Sequence, residues 1–380
     1  MNLYDTTTIN PYGNDKDFAG CAIFGMMNLE GKRFKSKDPV KAITNMHDRS
    51  NGMGGGFAIY GIYPQFKDYY AFHIMYLSRD AKEKTDRILA YYFNIIYDEE
   101  IQTQPANVHS PPLMWRYFVH TKKNRPEYLT EEELVLQAVM RINTETGKAF
   151  VFSSGKDMGV FKGVGFPEDI ADYFCLEDYE GYLWSCHGRF PTNTPGWWGG
   201  AHPFNLLDWT VVHNGELSSY GINRRYLEMY GYKCTLQTDT EVIAYAIDLL
   251  MRRQKLPMEI VTQILAAPFW AEIDQMEPKK QQTLKMLRQT YSSLLMNGPF
   301  SVIIAHHGEM IGLTDRIKLR PLIAATKNDN LFISSEEAAI RLVSPQLDKL
   351  WTPRGGEPII GRVRDKKSTE PSTEQETESQ

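Results

Sequence analysis

Apolar runs of strand length recur along the chain and are separated by turn residues. They begin with CAIFGMMN at Cys21, continue with FAIYGIY and with YYAFHIMYLS at 69–78, and return as FSVIIAHHG, EMIGLTD, LIAAT and LFISS. Helical spacing appears in AKEKTDRILAYYFN, LTEEELVLQAVMRIN, INRRYLEMYG, TDTEVIAYAIDLLMRRQ and residues 257–295. Strands, then helices, then strands, with mostly hairpin-length connections, favour antiparallel sheets over a parallel βαβ sheet. We therefore predict an α+β fold with four-layer αββα packing.

Three segments depart from this pattern. Residues 1–20 are polar and rich in Thr, Asn, Asp and Gly, which indicates a leader. Residues 79–143 are more polar than their surroundings and are predicted to be a helical insertion in a domain that spans 21–362. Residues 363–380 are predicted to be a disordered tail, because RDKKSTEPSTEQETESQ contains no apolar residue apart from proline.

Composition narrows the class of protein. Hydrophobic residues make up 42% of the 380 residues, and 42 Lys plus Arg against 47 Asp plus Glu give a net charge of −5. This balance predicts no nucleic-acid or anionic-membrane surface. No apolar run approaches the ~18 residues of a membrane span, and the N-terminus lacks the features of a secretory signal, so we expect a cytoplasmic protein. Four cysteines without a CxxC pair are expected to be free thiols.

Several common sites find no support in the motifs. NGMGGGFAIYG is not GxGxxG and opens a strand, and GxxxxGK[ST] does not occur, so neither a dinucleotide fold nor a P-loop is predicted. The glycines favour a tight turn instead. The histidines form no HExxH motif and no zinc-spaced cluster with cysteine, and no metal site is predicted.

Cys21 stands at the start of an apolar strand, directly after the polar leader. If the leader is removed, the freed α-amino group of Cys21 can act as general base for the Cys21 thiol, and no histidine base is needed. The alternative is an ordinary buried strand cysteine, since free cysteine is among the most buried residue types.

The segment from GRFPTN through AHPF and VVHNGE to TDTEVIA resembles the class II glutamine amidotransferases, which are N-terminal-nucleophile hydrolases. The motifs follow in the order and at the spacing of that family, and CAIFG matches its nucleophile strand. Weaker matches at NGMGGGFAIYG, RIKLRPLIAAT and LFISSEEAAI extend the similarity over most of 21–344. The resemblance implies an N-terminal-nucleophile hydrolase sandwich in which Cys21 attacks L-glutamine.

The resemblance also assigns the substrate-binding residues. Arg189 matches the arginine that clamps the glutamine α-carboxylate, and Asp239 matches the acid that pairs with the α-ammonium group. The alternatives are a surface ion pair for Arg189 and a plain helix cap for Asp239.

Asn214 and Gly215 match the family's oxyanion hole, although Asn-Gly is also a common hairpin turn. Thr192, Asn193 and His202 match positions that shape the glutamine pocket. For His202, a hydrogen-bonded structural role remains open.

Within the family, RFPTNTPGWWGGAHPF is most similar to the glutaminase part of glutamate synthase. This implies a glutaminase subunit without a cofactor of its own, which passes ammonia to a synthase subunit that carries FMN and an iron–sulfur cluster. The alternatives are the glutaminase subunit of another transferase, such as N-methylglutamate synthase, or a non-catalytic scaffold whose leader is retained. The insertion, with Trp115 and Tyr117 as exposed aromatic candidates, either contacts this partner or packs on its own domain.

Overall fold

The computed structural model describes residues 20–122, 128–190 and 196–364, and most of its elements are short. The strands are β1 (Ala22–Asn28), β2 (Phe34–Lys35), β3 (Gly55–Tyr60), β4 (Tyr70–Tyr76), β5 (Phe93–Glu100), β6 (Leu113–Thr121), β7 (Ala149–Ser153), β8 (Met158–Gly163), β9 (Glu180–Gly181), β10 (Leu183–Gly188), β11 (Phe204–Leu206), β12 (Trp209–Gly215), β13 (Phe300–His306), β14 (Glu309–Thr314), β15 (Ile323–Lys327), β16 (Asn330–Ser334), β17 (Lys349–Trp351) and β18 (Ile359–Arg362). The helices are α1 (Lys37–Thr44), α2 (Arg79–Tyr92), α3 (Glu131–Glu145), α4 (Pro167–Tyr173), α5 (Tyr220–Glu228), α6 (Asp239–Ile247), α7 (Met258–Leu265), α8 (Trp270–Ile273), α9 (Pro278–Thr290) and α10 (Glu337–Val343).

The largest sheet has seven strands in the order β17-β15-β16-β1-β10-β3-β8. Strand β1 is buried along nearly its whole length, which explains why its apolar run is continuous and not alternating. It pairs antiparallel with β10, and Ala22 lies opposite Gly188. The residue before β1 and the residue after β10 are therefore neighbours, and this places Cys21 beside Arg189.

A five-stranded sheet, in the order β11-β12-β13-β14-β18, packs face to face on the first. Val212 and Ile303 of the second sheet share one core with Phe24 of the first, and each fully buried side chain of this kind stabilises the fold by ~1.5–3 kcal/mol. Gly25 allows the sheets to approach, since a Cβ there would lie 2.7 Å from Met310 Sδ. Helices α1 and α4 pack against the first sheet and α6 against the second.

The segment 79–143 is partly β-structure, so the expectation of a helical insertion is wrong for its centre. Helices α2 and α3 are present, but β5 and β6 pair between them and join β4 and β7 in a four-stranded sheet. The aromatic and β-branched residues of LMWRYFVHT explain the strand β6. Tyr117 is buried and donates to Asp86 (2.7 Å), so it is not the exposed aromatic that we expected.

Two further boundaries differ from the sequence-based expectation. Residues 257–295, where the spacing is helical throughout, divide into the α-helices α7, α8 and α9, because Pro268 lies in the break before α8 and Pro278 starts α9. The predicted tail begins too early, since the Val363 amide donates to the Gly308 carbonyl (2.8 Å) and the Arg364 amide to that of Leu29 (2.7 Å). Among the described residues, no helix is both long and apolar enough to cross a membrane.

Candidate active site

Cys21 immediately precedes β1 and is half-buried, and its Sγ accepts a hydrogen bond from the Phe190 amide at 3.4 Å. Burial raises the pKa of the Cys21 thiol, and the Phe190 amide and the Arg189 charge oppose this effect without cancelling it. The thiol is therefore neutral near pH 7 and needs a base to become a nucleophile. The remaining cysteines, 175, 186 and 234, are buried, so the interpretation as ordinary buried thiols fits those three residues.

Two arginines that were not among the predicted site residues flank the peptide bond between Gly20 and Cys21. The Arg49 guanidinium lies 3.4 Å from the Cys21 carbonyl oxygen, to which it donates, and forms an ion pair with Glu336 at 3.0 Å. A Cβ on Gly20 would lie 3.2 Å from Arg49 Nη2 and 3.4 Å from Arg320 Nη1. The only sequence signal for Arg320 was the weak match at RIKLRPLIAAT.

Arg189 follows β10 and is only 4% exposed, so the alternative of a surface ion pair is wrong. Its amide donates to the Gly54 carbonyl at 2.8 Å. A Cβ on Gly54 would lie 3.0 Å from Arg189 Cδ, and one on Gly200 would lie 3.4 Å from Nη1. Burial lowers the pKa of the guanidinium, which nevertheless remains charged at any physiological pH. Glycines on two segments thus make room for a buried cation.

Asn214 and Gly215 end β12 and pair with Ser301 and Phe300 of β13, so they are not the central residues of a hairpin turn. Asn214 is fully buried, and neither atom of its side-chain amide has a hydrogen-bond partner among the described residues. Gly215 has φ +144°, and a Cβ there would lie 1.9 Å from the Pro299 carbonyl oxygen. An amide without partners and a glycine that no larger residue could replace thus lie side by side at the end of β12.

Asp239 is the first residue of α6, and the cap is the preceding Thr238, whose hydroxyl accepts the Thr240 amide. The Asp239 Oδ2 accepts a hydrogen bond from the Leu217 amide at 2.8 Å. Burial raises the pKa of Asp239, but His213, the Leu217 amide and the Thr240 hydroxyl together lower it below its usual value. The side chain is therefore a carboxylate that can pair with a cation.

Three imidazoles lie behind this carboxylate. His202, which precedes a cis peptide bond to Pro203, contacts the Thr240 hydroxyl through Nε2 at 2.7 Å, and His213 Nδ1 lies 3.1 Å from the same oxygen. His187 stacks on His202 at 3.9 Å. Burial lowers the pKa of His202 well below its usual value, so this ring is neutral. His202 is thus both hydrogen-bonded and part of the cavity wall; His213 and Thr240 had no separate signal beyond their places in HNGE and TDTE.

Most of the residues described above line one cavity of about 250 Å³, although Asn214 and His187 are not part of its lining. Its lining comprises Cys21, Arg189, Phe190, His202, His213, Gly215, Glu216, Leu217, Tyr220, Gln237, Thr238, Asp239 and Thr240. Thr192 and Asn193 lie outside the described residues. In the part of the chain that the structure describes, no group of three or more His, Cys, Asp or Glu side chains is placed to bind a metal ion.

One known protein family matches most of the chain. The family described as glutamine amidotransferases class-II matches residues 60–351, which is more than half of the chain. The chain belongs to the class II glutamine amidotransferases.

The relatives differ in how much of their own length this chain covers. An uncharacterized protein of Archaeoglobus fulgidus is 59% identical over 355 residues, which are 92% of this chain and 94% of the relative. An amidophosphoribosyltransferase of Methanocaldococcus jannaschii is 25% identical over 54% of this chain and 38% of its own length. A glutamine–fructose-6-phosphate aminotransferase of Vibrio cholerae is 27% identical over 47% and 27%, respectively. The match thus covers less than half of the two relatives that carry an enzyme name.

The cavity has a charge pattern that suits a free α-amino acid. The Arg189 guanidinium can bind a carboxylate through two parallel hydrogen bonds, and the Asp239 carboxylate can bind an ammonium group. Cys21 adds a thiol to the cavity lining, and the Asn214 side-chain amide lies beside it. Four separate parts of the chain thus meet here, and they carry Cys21, Arg189, Asn214 with Gly215, and Asp239.

Proposed function

We propose that this chain hydrolyses L-glutamine to glutamate and ammonia, with Cys21 as the nucleophile. The observation that supports this most is the meeting of Cys21, Arg189, Gly215 and Asp239 in one cavity, with the orphaned amide of Asn214 beside them. The face-to-face sheets and the helices packed on each of them suit a four-layer N-terminal-nucleophile sandwich.

Substrate binding follows from the two charged side chains. Arg189 holds the α-carboxylate of glutamine and Asp239 holds its α-ammonium group. The side-chain amide of glutamine is then directed toward Cys21.

The chemical step uses the N-terminus that processing creates. The free α-amine of Cys21 takes the thiol proton, and the thiolate attacks the amide carbon of glutamine. The Asn214 side-chain amide and the Gly215 N–H stabilise the oxyanion, each by about 3 kcal/mol. The amine returns its proton to the departing ammonia, and water then cleaves the γ-glutamyl thioester.

This scheme requires removal of residues 1–20. While Gly20 is attached, the Cys21 nitrogen is an amide and cannot accept the thiol proton. The leader itself lies outside the described residues, apart from Gly20.

We further propose that the ammonia passes to a separate synthase subunit of glutamate synthase type, which carries FMN and an iron–sulfur cluster and acts in the cytoplasm. The sequence similarity of RFPTNTPGWWGGAHPF supports this acceptor over the subunit of another transferase, such as N-methylglutamate synthase. The β5–β6 hairpin and its flanking helices remain the proposed contact, now without Tyr117.

Mass analysis and labelling test the proposal. The active protein is expected to begin at Cys21, and Cys21→Ala is expected to abolish ammonia release and labelling by a glutamine-analogue electrophile. Cys186→Ala, in the adjacent strand β10, is the matched control and should retain both. Full activity with Met1 still attached would refute the mechanism, whereas a retained leader on a chain without glutaminase activity would favour the non-catalytic scaffold.

Co-purification from the native organism tests the acceptor. Recovery with a flavoprotein whose substrates raise the glutaminase rate supports the synthase partner. Recovery of the chain without a partner, at a full glutaminase rate, contradicts the synthase partner.

A further inference from the structure

A buried cation and a buried anion lie outside the set of residues that line the cavity. Lys162 in β8 is 2% exposed and Glu241 in α6 is 1% exposed. Burying a single charge is costly, so each of these groups needs strong partners. Lys162 and Glu241 each bind backbone groups of a segment that lies next to a candidate substrate-binding residue.

Lys162 holds the segment beneath Arg189. Its Nζ donates to the carbonyl oxygens of Gly199 at 3.1 Å and Ala201 at 2.8 Å. It also lies 4.3 Å from the centroid of the Phe204 ring. An ammonium group directs its third N–H at the ring face, where a neutral amine would place a lone pair, so the charged form fits better. Between the two carbonyls lies Gly200, the residue that packs against the Arg189 guanidinium.

Glu241 holds the segment that leads to Asp239. Its two carboxylate oxygens accept the amides of Thr235 (3.0 Å) and Leu236 (2.9 Å) and the hydroxyl of Tyr245 (2.9 Å). All three partners donate, which suits an ionised carboxylate. Three residues after Leu236, the chain reaches Asp239.

The two charges lie on neighbouring parts of the fold, because the Phe204 ring that Lys162 faces belongs to β11, and β11 packs against α6, which carries Glu241. Burial lowers the pKa of Lys162 to about 7, and the charge of Glu241 opposes this shift while that of Arg189 adds to it. Burial likewise raises the pKa of Glu241 to about 7, against the opposing effects of its hydrogen bonds and of Lys162. Removing one charge therefore favours neutralisation of the other.

We propose that Lys162 and Glu241 act as one coupled pair of positioning residues, which holds the Arg189 and Asp239 walls at the separation that an α-amino acid requires. The inference rests on the proposed function for the identity of the ligand. Its structural part, the coupling between the two walls, is independent of that function.

Hydrogen exchange of the whole chain tests the coupling. Lys162→Met is expected to speed exchange of the Thr235 and Leu236 amides at least tenfold, although Lys162 touches neither, because Glu241 then binds a proton. Arg116→Met is the matched control, since Arg116 is a buried cation whose partners, among them Glu99 and Tyr63, do not line the cavity. A faster rate confined to residues 199–201 would overturn the proposal.

The reverse experiment keeps the test decisive if Lys162→Met does not fold. Glu241→Gln is expected to speed exchange at the Gly200 and Ala201 amides. Unchanged rates there overturn the coupling.

Kinetics test the consequence for binding. Each single variant is expected to raise KM for glutamine about tenfold while kcat changes less than threefold. The double variant should raise KM by less than the product of the two single effects, because no unpaired charge remains buried. Multiplicative effects on KM would refute the pairing. If the wild-type chain does not hydrolyse glutamine, the proposed function fails, whereas the exchange experiment still tests the pair.

Discussion

Replacing Asn214 with alanine is expected to separate catalysis from stability. Asn214 is fully buried, and both polar atoms of its amide are without partners in the described structure. A group of this kind costs folding free energy, and under the proposed function the oxyanion would accept a hydrogen bond from its Nδ2.

The magnitudes follow from these contacts. Loss of one oxyanion donor typically costs ~2.7–4 kcal/mol of transition-state stabilisation, which is a fall of about 100- to 1,000-fold in kcat. KM should change little, because the donor acts on charge that is present mainly in the transition state. An unsatisfied buried polar group costs ~1–3 kcal/mol, and a methyl-sized cavity costs ~1 kcal/mol. The free energy of unfolding should therefore stay level or rise by up to ~2 kcal/mol.

Asn223→Ala provides the matched control. The Asn223 amide is also buried, but it donates to the carbonyl oxygens of Ser293 at 2.6 Å and Leu295 at 3.2 Å. This variant should lose ~1–3 kcal/mol of stability and keep kcat. Urea unfolding and steady-state ammonia release measure both quantities. Should Asn214→Ala lose as much stability as Asn223→Ala, or raise KM instead of lowering kcat, the oxyanion assignment would be wrong.

Three further predictions concern the other residues of the cavity. Arg189→Ala and Asp239→Ala should chiefly raise KM for glutamine, and a fall in kcat at unchanged KM in steady-state assays would contradict their binding roles. Gly215→Ala should destabilise by more than the ~1–2 kcal/mol expected for Gly147→Ala, a control at φ +71° with no atom within 4 Å of the added Cβ; equal urea midpoints would contradict this. Because the pKa of Asp239 is lowered in the folded protein, its ionised form stabilises the fold fully above its ordinary pKa of about 3.9. As pH falls through the folded value this contribution is lost, so the stability difference between wild type and Asp239→Asn should be largest near pH 6 and shrink below pH 4.

Local sequence signals predicted most elements because their causes are local. The continuous apolar run of β1 is an example. The β5–β6 hairpin was missed because helical spacing on both sides dominated the segment, and because strand pairing depends on neighbours such as β4 that lie elsewhere in the sequence. Similarly, the apolar spacing of residues 257–295 does not show the division into α7, α8 and α9, which follows from the positions of Pro268 and Pro278.

Resemblance to the family pointed to the candidate catalytic and substrate-binding residues of the cavity, but it did not point to the residues that support them. Lys162 lies 37 residues before Gly199, the first of the two residues whose carbonyl oxygens it binds, and Arg49 lies 28 residues after Cys21, whose carbonyl oxygen it binds. Neither distance has a characteristic period, so no sequence pattern marks the contact. Such residues become visible only when the strands that carry them are placed side by side.

The glycines of NGMGGG were noticed in the sequence, but only part of their role could be predicted. The sequence predicted that they serve a tight turn, and Gly52 does adopt φ +75°. Gly54 and Gly56 have another role, since a Cβ would lie 3.0 Å from Arg189 Cδ at position 54 and 2.3 Å from the His202 carbonyl oxygen at position 56. These two glycines therefore let β3 approach both the candidate carboxylate-binding arginine and the segment that Lys162 holds. A glycine-rich stretch indicates that the backbone closely approaches another part of the chain. Which part it approaches depends on the register of β3 against β10, and no local sequence signal specifies that register.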